Sequence, residues 1–147
     1  MGVRGYLLDT VILSELRKKT RNAAVVAWFK TVPGSDLYLS VLTVGEVERG
    51  IVSQERLNPP FAQELRIWLD AVETVYGDRI LPVTPLIARR WGRLAGEIGH
   101  AGVDLLIAAT ALEHGLTVVT RNVMHFEPTG VALLNPFERV ADDLKTR

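Results

Sequence analysis

The sequence predicts an α/β fold in which helices flank a central parallel β-sheet on both faces. Short apolar segments typical of buried strands alternate along the chain with longer segments whose apolar residues recur every three or four positions. The chain has 147 residues, the length of one ordinary domain, and neither a repeat nor a low-complexity linker divides it. We therefore expect a single domain over residues 1–147.

Five short apolar segments are predicted to be strands. They cover residues 6–8, 37–41, 79–83, 116–120 and 131–134. Their content of Leu, Ile, Val and Tyr, and the turn residues or helical patterns that follow them, are typical of buried strands. A polar tail is expected after residue 134.

Six longer segments are predicted to be helices. They cover residues 10–19, 23–30, 43–53, 61–75, 85–98 and 103–114. The first ends in a basic run at 17–19, which opposes the negative end of the helix dipole. Pro33 and Pro59 mark breaks, Pro85 suits a first helical turn, and Gly115 suits a helix end.

The composition excludes several classes of protein. Seventeen basic and seventeen acidic residues cancel, so any contact with nucleic acid must use a local patch. The absence of cysteine excludes disulfides, thiolate zinc sites and a cysteine nucleophile, and fits a reducing compartment. No apolar run approaches the roughly 18 residues that cross a bilayer, and no signal peptide is evident. A soluble cytoplasmic protein is expected.

Three acidic residues stand where strands give way to helices. Asp9 follows the first strand, Glu46 follows the second, and Asp104 opens a late apolar helix. In a parallel sheet the ligand site forms beyond the carboxyl ends of the strands, so these acids are expected to converge there.

Each acid also has a purely structural interpretation. Asp9 is a good N-cap, and Thr43 with Glu46 fits a capping box. Asp104 suits the first turn of a helix. Independent caps need not all fall at one edge of the sheet, however, and this coincidence favours a site.

A cluster of three carboxylates favours a bound cation. At about 5 Å separation, two carboxylates repel by roughly 3 kcal/mol at an effective dielectric constant of about 20. A cation or raised pKa values would relieve that repulsion. Oxygen ligands without cysteine favour Mg²⁺ or Mn²⁺ over zinc.

Four segments together resemble PIN-domain ribonucleases, and most of all the VapC toxins of bacterial type II toxin–antitoxin pairs. They are residues 6–10 (Tyr-Leu-Leu-Asp-Thr), 39–50, 103–111 and 118–122. The likeness runs in order from Tyr6 to about Phe137, so it covers nearly the whole chain.

The resemblance implies a Mg²⁺-dependent endoribonuclease, with Mn²⁺ a possible substitute, that cuts tRNA or rRNA. Asp9, Glu46 and Asp104 match the family's core acids and would bind the metal. Asn122 falls at a fourth position that is usually acidic, and Thr120 matches a hydroxyl beside it. The implied partners are a VapB-like antitoxin and a second copy of the chain, in a homodimer or a higher toxin–antitoxin assembly.

The chain departs from the family pattern at two places. Val11 follows Thr10 where the family usually has Asn, and Asn122 carries no charge; a further acid often seen soon after is replaced by His125. Arg49 and Arg121 stand near proposed site residues and are candidate contacts to an RNA backbone. The three tryptophans, Trp28, Trp68 and Trp91, lie in helical apolar stripes and are assigned to core or interface in preference to base stacking.

Two other functions remain open at this point. An inactive PIN-like module would bind RNA or a protein without cutting, which Val11 and Asn122 would suit. A phosphate-handling enzyme with Asp9 as its nucleophile ranks last, because the Asp-x-Asp motif of such phosphatases is broken by Val11.

Overall fold

Five parallel strands form the sheet of this computed structural model, which describes residues 5–138. They are β1 (Tyr6–Leu8), β2 (Leu37–Ser40), β3 (Ile80–Leu81), β4 (Thr117–Val119) and β5 (Leu133–Leu134), in the order β3-β2-β1-β4-β5. All neighbouring pairs run parallel. The parallel α/β sheet predicted from the sequence is confirmed.

The described chain also contains seven α-helices. They are α1 (Thr10–Arg17), α2 (Ala23–Lys30), α3 (Val41–Leu57), α4 (Pro59–Tyr76), α5 (Pro85–Ile98), α6 (Val103–His114) and α7 (Val123–Phe126). The predicted bounds of α2, α5 and α6 are confirmed. The short helix α7 was not predicted.

Helices cover both faces of the sheet, as predicted. Leu7 and Leu8 are adjacent in β1, so their side chains point to opposite faces. Leu7 packs in a buried cluster with Ile107 and Ala108 of α6. Leu8 packs in another cluster, with Ile12 of α1 and Trp28 of α2. The two clusters form one core on each side of the sheet.

The strand order reverses beside β1. The chain adds β2 and β3 on one side of β1 and then returns to add β4 and β5 on the other. Leu8 pairs with Val119, so Asp9 and Thr120 are the next residues after two neighbouring strands. The crevice at such a reversal is the usual ligand site of an open α/β sheet.

Helices α3 and α4 form a long hairpin that borders this crevice. Asn58 alone connects them, and its side chain accepts a hydrogen bond from the backbone N–H of Phe61 at 3.2 Å. Val47 and Ile51 of α3 are buried against Leu65 of α4. This packing fixes the face of α3 that carries Glu46.

Glu15 joins the end of α1 to the start of α2. Its Oε2 accepts a hydrogen bond from the backbone N–H of Asn22 at 2.8 Å, and Lys18 Nζ donates to its Oε1 at 3.0 Å. The hydrogen bond from Asn22, and next that from Lys18, lowers the pKa of Glu15 below its ordinary value of 4.5.

Replacing Glu15 by Gln should lower the free energy of unfolding by about 1–2 kcal/mol at neutral pH, since two charge-assisted hydrogen bonds are weakened. Because the folded-state pKa of Glu15 is lowered, its stabilisation is present above pH 4.5 and is lost as the pH falls through that folded-state pKa. Urea denaturation of both proteins across this pH range should show that the difference in their free energies of unfolding becomes smaller toward acid pH. A gap of constant size would contradict the assignment.

Some expectations fall outside the residues that the structure describes. The predicted domain bounds of 1–147 include residues 1–4 and 139–147, and most of the predicted polar tail lies in the second of these segments. Within residues 5–138, no helix combines the length and the apolar character needed to cross a membrane.

Candidate active site

Asp9 lies at the bottom of the crevice, directly after β1. It is the N-cap of α1: its Oδ1 accepts a hydrogen bond from the backbone N–H of Thr10 at 2.8 Å. Its Oδ2 accepts a hydrogen bond from the hydroxyl of Thr120 at 2.9 Å. Only 5% of Asp9 is exposed. Asp9 therefore caps α1 and also lies in the crevice.

Burial is the main influence on the acidity of Asp9. It raises the pKa of Asp9 above its ordinary value, and the hydrogen bonds from Thr120 and Thr10 oppose it. The negative charges of Asp104 and Glu46 raise the pKa further but are the smaller causes. The sequence argument rested on mutual repulsion, whereas desolvation in the crevice is the stronger effect.

Thr120 connects Asp9 to the loop after β4. Its side chain is fully buried, and its Oγ1 accepts a hydrogen bond from the backbone N–H of Asn122 at 3.0 Å. The single hydroxyl proton is thereby directed to Asp9 Oδ2. Of the residues matched to the motif, Thr120 therefore contacts Asp9 directly.

Glu46 faces α1 from the second turn of α3. Its Oε1 accepts a hydrogen bond from the hydroxyl of Thr10 at 2.6 Å, and that hydroxyl lies 3.3 Å from the hydroxyl of the buried Thr43. Thr10 thus contacts two of the three acids, Asp9 through its backbone and Glu46 through its side chain.

The predicted capping box of Thr43 and Glu46 is wrong. The N-cap of α3 is Ser40, whose hydroxyl accepts a hydrogen bond from the backbone N–H of Leu42 at 3.1 Å. The helix follows β2 without a connecting loop, so Thr43 and Glu46 both lie inside it. Glu46 is therefore available to the crevice instead of to the helix end.

Asp104 approaches the crevice from the first turn of α6. Its side chain is 37% exposed, and its Oδ2 lies 3.2 Å from Nδ1 of His125. Sequence reasoning noted His125 as the residue that replaces a further acid, and it missed this pair. No local sequence pattern reveals the pair, because 21 residues separate Asp104 from His125 and the packing of α7 on α6 brings them together.

The remaining predicted site residues lie around the loop after β4 and on α3. Asn122 is exposed at the start of α7, and its side chain makes no capping hydrogen bond. The guanidinium of Arg121 lies 4.4 Å from the centre of the Phe137 ring. Arg49 is exposed on α3, three residues beyond Glu46.

The acids suit a hard cation chemically, although they are not gathered into a finished binding site. Among residues 5–138, no three His, Cys, Asp or Glu side chains stand close enough to hold a metal ion. The charges of Asp104 and Glu46 nevertheless act on the buried Asp9. All three supply oxygen ligands, which Mg²⁺ and Mn²⁺ prefer. A cation bound among them would offset the free-energy cost of burying the charged Asp9 side chain.

The fold and the site together define a class of protein. It comprises α/β domains with a parallel sheet and several carboxylates at the point where the strand order reverses. The PIN domain family model matches residues 6–127, and the chain belongs to that family. It is 32% identical over 137 residues to the VapC ribonuclease Y4jK of Sinorhizobium fredii, covering 90% of this chain and 97% of the relative. It is 36% identical over 138 residues to the toxin FitB of Neisseria gonorrhoeae, covering 89% and 97%.

A solved structure gives the same result. The crystal structure of FitAcB from Neisseria gonorrhoeae superposes with a TM-score of 0.81 at 35% identity, covering 90% of this chain and 98% of that chain. The resemblance to PIN-domain VapC toxins that the sequence motifs indicated is confirmed.

Proposed function

We propose that this protein is an endoribonuclease that requires a divalent metal ion, Mg²⁺ or Mn²⁺, and acts as the toxin of a toxin–antitoxin pair on cellular tRNA or rRNA. The observation that carries the proposal is the buried Asp9, held at the reversal of the sheet by Thr120 and facing the charges of Glu46 and Asp104. Relatives named as a ribonuclease and as a toxin support it. With cellular RNA as its substrate, the protein is proposed to act in the cytoplasm.

The proposed roles follow from where each side chain lies. Asp9, Glu46 and Asp104 would hold the metal ion, which would activate water and neutralise charge at the RNA phosphate. Thr120 positions Asp9, and Thr10 positions Glu46. Asn122 contributes through its backbone N–H, which orients the Thr120 hydroxyl.

Thr120→Val should reduce kcat/KM for RNA cleavage by roughly 10–100-fold, the usual effect of removing a group that orients a metal ligand. Without the hydroxyl, the pKa of Asp9 should rise further, so the acidic limb of the pH–rate profile should move to higher pH. Thr120→Ser keeps the donor and serves as the matched control. An unmoved profile in the valine variant would leave Thr120 with a merely structural role.

Arg49 and Arg121 are proposed to contact the RNA backbone on either side of the acids. Both are exposed, and they follow Glu46 and Thr120 in sequence. Phosphate contacts of this kind weaken as salt rises because bound counterions are released from the RNA.

An antitoxin of the VapB type is proposed as the protein partner. A chain that cuts the cell's own RNA must be silenced while its host grows, and the acidic crevice would attract a basic side chain that replaces the cation. The proposed assembly is a homodimer or a higher toxin–antitoxin complex. The inhibited complex should regain activity when an Arg or Lys of the antitoxin that enters the crevice is replaced.

A second candidate, a catalytically weak PIN-like binding module, is favoured by Val11. Its apolar side chain is 42% exposed and supplies no polar group at the position where the resembled family usually has Asn. Val11→Asn should leave cleavage equal or higher, measured as kcat/KM on one RNA. A large loss would show that the site has adapted around valine.

Cleavage of total cellular RNA by the purified, partner-free protein tests the proposed function. Reactions contain Mg²⁺, Mn²⁺ or EDTA, and new RNA ends are mapped by sequencing. Cuts at few positions that disappear in EDTA would support a selective metal-dependent endoribonuclease. Folded protein that cuts nothing with either metal would favour the binding module.

A further inference from the structure

A small cleft opens beside the candidate active site and shares two of its residues. Three helices line it, each with one face: Thr10, Ser14 and Arg17 of α1, Glu46, Gly50 and Gln54 of α3, and Phe61 and Trp68 of α4. We call this the three-helix cleft. Because Thr10 and Glu46 belong both to the cleft and to the candidate active site, an occupant would lie next to the proposed point of cleavage.

The size of the three-helix cleft limits what it can hold. Its volume is ≈ 210 Å³, whereas sites for drug-sized ligands measure roughly 300–1,000 Å³. A single planar ring system fits such a volume.

The lining suits a flat ring with polar edges. Phe61 and Trp68 offer aromatic surface and are held by packing against buried clusters. The guanidinium of Arg17 lies 5.0 Å from the centre of the Phe61 ring. Bases of single-stranded RNA stack on aromatic rings and on guanidinium planes.

Polar groups in the cleft match the edge of a base. Ser14 and Gln54 each supply both donors and acceptors. Arg17 lies seven residues along α1 from Thr10, or roughly 10 Å at 1.5 Å per residue. Lys19 follows near that end of α1 and is exposed, so an RNA backbone leaving the cleft there would meet a positive charge.

Gly50 lines the cleft on its α3 side and places no side chain in it. It lies inside the 17-residue helix α3, where glycine is less favourable than alanine. An added Cβ would meet no atom within 4 Å. Packing therefore does not require glycine at this position, and a larger side chain placed there would enter the space of the cleft.

We propose that the three-helix cleft receives one unstacked base of the substrate RNA, next to the bond that is cut, and thereby selects the cleavage site. This inference rests on the proposed function. It also revises the interpretation of Trp68, for which the sequence favoured core or interface over base stacking, because Trp68 lines the cleft.

The test places a bulky side chain in the cleft at Gly50. Gly50→Leu is compared with Gly92→Leu, a matched change at an exposed glycine of α5 where an added Cβ likewise meets nothing within 4 Å. The substrate is an oligoribonucleotide spanning a mapped cut, with an abasic ribose placed in turn at each nucleotide near it. Circular dichroism and thermal unfolding establish that both variants fold.

Gly50→Leu should lower kcat/KM about tenfold or more, as expected for the loss of one stacked base, while Gly92→Leu matches wild type. One abasic position should cause the same loss in wild type and no further loss in Gly50→Leu. The inference would be overturned if the abasic substitution and Gly50→Leu together reduced kcat/KM by the product of their separate effects. It would also be overturned if Gly50→Leu left the rates and the cut sites unchanged. Normal cleavage by Gly50→Leu with resistance to the antitoxin would overturn it too, and would assign the cleft to the partner.

A binding assay separates this inference from the proposed function. A fluorescent single-stranded RNA pool is titrated with wild type, Gly50→Leu and Gly92→Leu in EDTA, so that no cleavage is needed. About tenfold weaker binding by Gly50→Leu alone supports the base-binding cleft even if wild type cuts no RNA. Equal binding by all three proteins, or no binding by any, overturns it.

Discussion

Asp104→Asn is expected to reduce RNA cleavage by about 10³-fold or more, because an amide keeps the shape of the carboxylate but not the charge that a metal-dependent site uses. The fold should survive, since the Asp104 side chain is 37% exposed. Loss of one acid from the first turn of α6 removes only about 0.3–1 kcal/mol of helix-dipole stabilisation.

Asp70→Asn provides the matched control, because Asp70 is an exposed acid on α4 that lines a different groove. It should retain wild-type kcat/KM. Single-turnover cleavage of one labelled RNA, with thermal unfolding of each protein, separates chemistry from folding. A fully active Asp104→Asn protein would exclude the proposed mechanism.

Asp9→Asn should also abolish cleavage, yet it should not destabilise the metal-free protein at neutral pH. Burial raises the pKa of Asp9, so the folded state holds its proton more tightly than the unfolded state does. The stability that Asp9 contributes is therefore present below its ordinary pKa of 3.8 and is lost as the pH rises through the raised folded-state pKa. The asparagine in Asp9→Asn is neutral at every pH, so the variant does not lose stability in this way as the pH rises.

Metal ions should reverse the order of stability. Saturating Mg²⁺ stabilises a protein that binds it, by about 2.7 kcal/mol when the free ion stands at 100 times its Kd. Wild type should gain this stability and Asp9→Asn should not. Denaturation of both proteins in EDTA and in Mg²⁺ makes the comparison, and an equal gain in both would place the ion elsewhere.

Local signals explain which helices could be predicted from the sequence. Helix α5 begins where Thr84 caps it and Pro85 occupies its first turn, and it ends at Gly99, which has a left-handed φ of 99°. Helix α6 ends at Gly115, with φ 67°. These features act within one helical turn, so sequence alone reveals them.

Strand ends and the start of α3 depend on distant neighbours and were less predictable. The third strand was expected over 79–83, but only Ile80–Leu81 pairs with β2. Arg79 instead donates hydrogen bonds to the backbone carbonyls of Gly34 and Leu37, at 2.6 and 2.7 Å. Pairing partners decide where a strand ends, and they lie about 40 residues away.

The candidate site likewise combines residues that local sequence reveals with contacts between residues far apart in the chain. Asp9 and Glu46 could be found because they follow strands, and Thr120 because it matches a motif. The contact of Thr10 with Glu46 spans 36 residues, and that of Thr120 with Asp9 spans 111. No periodicity records such contacts, and the burial that dominates the pKa of Asp9 exists only once the crevice has formed.

The most direct test of the central claim is to locate the metal ion. Crystals soaked in Mn²⁺ give an anomalous signal that identifies the ion without reference to activity. We expect a peak bound to Asp9 and to Glu46 or Asp104, at roughly 2.0–2.2 Å from carboxylate oxygens. A peak that avoids Asp9, or no peak in the crevice at saturating Mn²⁺, would contradict a metal-dependent site at these acids.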